Sequence, residues 1–95
     1  MQVLRRNKKM LKPAILNFLR RKKEELKKRL AEIDEKLNQF RSKYGDIEQF
    51  STKLPDDFQS HEIWFEWKSL IELRDAINKE LVEIDRAIKE VVEEI

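Results

Sequence analysis

Apolar residues recur at alternating steps of four and three on both sides of this chain's only glycine, and that spacing leaves few folds open. Leu26, Leu30, Ile33, Leu37, Phe40 and Tyr44 keep the rhythm before Gly45. After it come Ile63, Trp67, Leu70, Arg74, Ile77, Leu81, Ile84, Ile88, Val91 and Ile95. Steps of three and four hold side chains on one face of an α-helix, and their strict alternation is the seam of a coiled coil. Leu16 and Leu19 extend the first seam upstream, with Lys23 interrupting it. The pattern predicts an all-α fold: an antiparallel, coiled-coil-like two-helix hairpin with a short helix in its connection.

The punctuation residues set the expected boundaries. Pro13 suits a first helical turn and damages an interior, so the first helix is expected to start near it. This divides the chain into a basic N-terminal arm, residues 1–12, and a single helical-hairpin domain, residues 13–95. The arm carries scattered apolar residues, Val3, Leu4, Met10 and Leu11. Gly45 fits the left-handed position just past a helix end. Asp46 then reads as the N-cap of a short helix with Ile47, Phe50 and Leu54 on one face, stopped by Pro55. Asp56 and Asp57 are the next cap candidates, Asp56 with Gln59 in a capping-box spacing; Ser60 is an alternative for a later start. The last helix is expected from about Asp57 to Glu94. Helices of roughly 30 to 38 residues would each span about 45 to 55 Å.

Seven of the eight aromatic residues fall in the window between the seams: Phe40, Tyr44, Phe50, Phe58, Trp64, Phe65 and Trp67. They predict an aromatic cluster at the hairpin end, with Tyr44 and Trp67 in the core. The first half of the last helix is apolar around most of its circumference: Ile63, Trp64, Phe65, Trp67, Leu70, Ile71, Leu73, Ala76 and Ile77. One partner helix cannot cover so wide a face. The short helix is expected to cover part of it, and a second copy the rest, giving a homodimeric four-helix bundle. Trp64, Phe65 and Ile71 are the expected partner or dimer interface, since aromatic anchors concentrate binding energy.

Charge is segregated along the chain. Through Arg29 there are twelve Lys and Arg against two Glu; from Leu30 onward there are nine against seventeen Asp and Glu. An antiparallel hairpin would set the basic start beside the acidic end and neutralise part of both. Arg74, inside the second seam, is expected near Glu32, Asp34 and Glu35, or with its stem carrying the charge out to water. The run Arg20, Arg21, Lys22, Lys23, with Lys27, is the candidate polyanion contact, and a small nucleic-acid-binding protein is the alternative reading of the chain. No aromatic residue interleaves with these charges, as a single-strand stacking platform would need. Met10, Leu11, Ala14, Ile15, Phe18 and Leu19 also repeat at helical spacing beside the basic residues, as in a membrane-surface helix. The simpler expectation is that this stripe extends the hairpin core and that Pro13 breaks any helix reaching further back.

Chemistry finds little purchase. There is no cysteine, hence no thiolate ligand or nucleophile. His61 is the sole histidine, with Glu62 on a different helix face and Glu66 five positions on, so no converging ligand set is visible. Gly-rich phosphate loops and nucleophile motifs are missing too. The expectation is a non-enzyme without a metal or cofactor. No window offers the roughly 18 apolar residues of a membrane span, and Met1 to Met10 lacks the apolar core of a secretory signal, so a cytoplasmic location is expected. Abundant Lys and Glu without Cys match thermophile usage.

The run Lys43-Tyr44-Gly45-Asp46-Ile47-Glu48-Gln49-Phe50, followed by Asp56-Asp57 and then Glu66-Trp67 with Leu70 and Leu73, resembles small helical-hairpin proteins of archaea and bacteria. These share a "KYG…F" turn, an acidic linker and an "EW" helix start, and some look like the smaller partner of toxin–antitoxin pairs. The resemblance spans about Ile33 to Ile84. It implies a non-catalytic protein–protein interaction module, antitoxin-like, that binds a neighbour-encoded partner protein through its helix faces.

Overall fold

The structure is a computed structural model that describes residues 2–93, with side chains from residue 11 onward. Met1, Glu94 and Ile95 lie outside the described residues, as do the side chains of Val3, Leu4 and Met10. Three helices follow in order: α1, Gln2–Tyr44; α2, Ile47–Thr52; and α3, Phe58–Glu93. No strand occurs among the described residues. α1 and α3 pack along each other with α2 against their junction, which makes the hairpin expected from the two seams.

The start of α1 departs from the expectation. The helix does not begin near Pro13 but runs through it from Gln2. Proline removes one backbone donor and crowds the carbonyl four residues back, at a cost of about 3 kcal/mol in a helix interior. Here it is flanked by good helix formers, including Leu4, Arg5, Arg6, Lys8, Lys9, Met10, Leu11, Lys12 and Ala14, whose summed propensity opposes a break. The resulting 43-residue helix is about 65 Å long at the α-helical rise, nearly the whole 69 Å length of the molecule.

The turn follows the expected chemistry. Gly45 adopts φ +79°, and its N–H donates to the Arg41 carbonyl at 2.9 Å, the single bond of a left-handed C-terminal cap. Asp46, in extended geometry, accepts from the Glu48 N–H at 3.4 Å and starts α2. α2 stops at Thr52, two residues short of Leu54, which is half-buried in the connection. The residue before a proline is disfavoured in helical geometry, so Pro55 acts on Leu54 as well as on its own position.

Asp57, rather than Asp56 or Ser60, caps α3. Its carboxylate accepts from the Ser60 backbone N–H at 2.7 Å and from the Ser60 hydroxyl at 2.8 Å. These two bonds hold the Asp57 carboxyl below the usual carboxylate range, the backbone bond contributing most.

Six side chains form the buried core: Leu26, Ile33 and Leu37 from α1 with Trp67, Ile77 and Ile84 from α3. All six lie on the predicted seams. The intervening seam residues Leu30, Phe40, Tyr44, Leu70, Leu81 and Ile88 are only half-buried against them. A pair of helices encloses one line of contact and leaves the flanks open, which is why the core is one side chain thick. At the hairpin end a third element thickens it. Trp67 stacks on Phe40 with ring centroids 5.5 Å apart and meets Phe50 of α2 at 5.7 Å and Tyr44 at 6.3 Å.

Candidate interaction surfaces

The register of the hairpin decides which faces remain open. Phe40 lies opposite Trp67, and the Lys23 ammonium meets the Asp85 carboxylate at 2.6 Å. Carried on, that register sets Glu93 level with about Ile15, so roughly 20 Å of α1 before that point runs past the described end of α3.

At the hairpin end, α2 lies over one flank of α3. The Trp64 indole N–H donates to the Ser51 hydroxyl at 2.6 Å, and the Lys68 ammonium sits 4.9 Å from the Trp64 ring centre. A shallow groove between the two helices is lined by Ile47, Ser51, Trp64, Lys68 and Ile71. The three residues expected at an interface therefore divide. Trp64 and Ile71 are half-buried, one bonded to α2 and the other packed on the core. Phe65 is 62% exposed, with its ring edge-on to Trp64 at 5.1 Å. Phe58, the first residue of α3, is 84% exposed. An exposed aromatic beside a shallow groove of mixed apolar and polar lining is a surface that can bind.

The basic segment is not one patch. Arg20, Arg21 and Lys27 are exposed, while Lys22 and Lys23 are half-buried. Four consecutive residues of a helix point in directions about 100° apart, so the run wraps around α1 rather than lining one side. Lys23 is moreover committed to Asp85, the one cross-helix ion pair among the described residues. The expected neutralisation between the two arms is thus local. Arg74 does not reach Glu32, Asp34 or Glu35: it is half-buried, and its nearest carboxylate is that of Asp75, at 3.7 Å. Neighbours in a helix do not share a face, so the second alternative, a stem leading its charge to solvent, describes this residue better.

His61 stands at the edge of α3 with its Nε2 3.8 Å from the Asp56 carboxylate. No group of three or more His, Cys, Asp or Glu that could hold a metal occurs among the described residues. No described helix is long and apolar enough to cross a membrane.

Sequence reasoning misplaced one apolar stripe. Leu11, Ile15 and Phe18 do not extend the core; they are 54%, 43% and 64% exposed. Leu16 and Leu19 are the residues that turn toward α3, both half-buried and Leu19 packed on the core. The signal was present in the spacing. Leu11, Ile15 and Phe18 follow steps of four and three among themselves, on a different face from the seam that continues through Leu16, Leu19 and Leu26.

No protein family, curated protein or solved structure matches the chain.

Proposed function

We propose that this chain is a non-catalytic protein–protein interaction module that first associates with a second copy of itself, forming a four-helix bundle. The observation that carries the reading is the 62% exposure of Phe65 beside the half-buried Trp64 and Ile71. A large aromatic left in water next to a partly open apolar groove gains by association, and such anchors dominate interface energetics. The thinness of the core supports the same conclusion. Among the described residues, six buried side chains serve two helices of 43 and 36 residues, and none is fully enclosed. A second hairpin would cover the half-buried seam residues, as bundle partners do. By the resemblance of the turn and the α3 start to antitoxin-like hairpins, a neighbour-encoded protein is the wider partner of this face.

Sedimentation equilibrium of the wild type and Phe65→Glu tests the proposal. The wild type should sediment as a dimer and the variant as a monomer with unchanged helicity, because Phe65 contributes nothing to the intrachain core. A wild-type monomer at high micromolar concentration overturns self-association, and so does a dimer indifferent to Phe65→Glu. Ile71→Glu is a poorer probe, since Ile71 packs on the hairpin core and its loss confounds folding with binding.

A further inference from the structure

At the open end of the hairpin, α1 carries an apolar face that none of the described residues covers. Leu11, Ile15 and Phe18 form it, at helical spacing and each substantially exposed. By the helical period, Arg21 and Lys22 lie beside Phe18 on this face, and Lys12 is set at its margin. All three are cationic, and no acidic residue occurs before Glu24, while nine Lys and Arg do. By the register described above, Ile15 lies level with Glu93 and Phe18 with about Glu90, so only Leu11 and Lys12 of this face lie past the described end of α3. Lys23 is neutralised by Asp85.

We propose that this face of α1 docks on a lipid bilayer surface bearing anionic headgroups. Apolar side chains on one helical face, cationic ones beside and behind them, and low overall hydrophobicity are the combination that lies in the interface plane rather than spanning the bilayer. The chain's mean hydropathy of −0.75 and the lack of a membrane-crossing helix among the described residues fit that posture. Leu11, Ile15 and Phe18 enter the boundary between headgroups and acyl chains. Lys12, Arg21 and Lys22 meet the lipid phosphates and carboxylates, where each basic residue adds to the attraction. A nucleic acid would use the charges but offers nothing to three exposed apolar side chains aligned between them, so the bilayer accounts for more of what is observed. The surface is separate from the Phe65 face at the other end of the molecule, and the inference does not depend on dimerisation.

The test is co-sedimentation with vesicles of phosphatidylcholine alone or mixed with phosphatidylserine. The full chain should bind the mixed vesicles and not the neutral ones. Replacing Leu11, Ile15 and Phe18 together by Gln leaves charge unchanged and should weaken binding at least about tenfold with helicity intact, since buried apolar area contributes to interfacial affinity. A Phe18→Trp variant keeps the face apolar and reads insertion directly: brominated acyl chains should quench it more than they quench the wild type, whose tryptophans sit at the hairpin end. Three results overturn the proposal. They are no binding to the mixed vesicles, equal binding by the triple Gln variant, and an unquenched Phe18→Trp. Salt-steep binding to duplex DNA that the triple variant retains, without vesicle binding, would replace it with a polyanion contact.

Discussion

The two ends of this hairpin use the same kinds of residue to opposite effect. At the turn, α1, α2 and α3 converge, and Trp67 is reduced to 3% exposure by rings from two other helices. At the open end, among the described residues, only α1 and α3 meet, and before about Ile15 α1 runs past the described end of α3. Phe18, near that end, is 64% exposed. The difference lies in the number of elements available to cover a helix. Two helices bury one stripe each; a third, even one of six residues, encloses the flank that the pair leaves open. Stability should therefore concentrate at the turn, and unassigned apolar surface at the open end.

The most direct way to break that comparison is to remove its centre. Trp67→Ala should cost about 3–5 kcal/mol, the range for large aromatic truncations in a packed core. Denaturant unfolding would measure it. Phe18→Ala, at the other end, should stay within about 0.5 kcal/mol of wild type, as exposed substitutions do. Similar losses for the two would mean that the open end is better covered than the isolated hairpin allows.

The turn's backbone gives a smaller and sharper test. Gly45 is the one residue with a left-handed backbone among the described residues, and a Cβ there would meet no atom within 4 Å. Gly45→Ala should therefore destabilise through backbone conformation alone, by about 1–2 kcal/mol, without a packing contribution. Thermal unfolding would show the loss, and Gly45→Asn should recover part of it, because Asn tolerates this conformation better than Ala does. Equal stability for Ala and Gly would put the cap's importance elsewhere.

Much of this architecture is legible in the sequence, and the reasons are local. The alternation through Leu26, Ile33 and Leu37, and through Trp67, Ile77 and Ile84, names all six buried residues, because a seam on a helix is a periodic object. Gly45, Asp46 and Asp57 are legible because each solves a backbone problem at a helix end. Pro13 misled because its cost is fixed while the propensity of its neighbours is a sum, and here the sum prevailed. How the expected interface residues divide is hidden from the sequence for a different reason. Trp64, Phe65 and Ile71 are equally apolar on paper, and only the path of α2, set by three-dimensional closure of the connection, decides that two are half-covered and one projects. Leu11, Ile15 and Phe18 were legible too, because their spacing puts them on a different face of α1 from Leu16, Leu19 and Leu26; the register adds how far α3 reaches along α1, fixed by Phe40 against Trp67 and Lys23 against Asp85.

That last pair supplies the smallest effect and sharpens the comparison from the open end. Lys23 occupies a seam position where an apolar residue would normally sit, and its side chain is 28% exposed, while Asp85 is 55% exposed. Ion pairs in such surroundings contribute about 0.2–1 kcal/mol, and the solvent around Asp85 favours the lower half of that range. A double-mutant cycle with Lys23→Gln and Asp85→Asn should return a coupling of that size, declining as salt is added. Lys23→Leu should restore the interrupted stripe and match or exceed wild-type stability, since the seam there is half-buried and an apolar side chain gains what the ion pair loses. If Lys23→Leu instead destabilises by more than the cycle's coupling energy, the pair fixes the register of the two helices as well as filling a gap. The open end would then owe its alignment to charge, where the turn owes its own to aromatic packing.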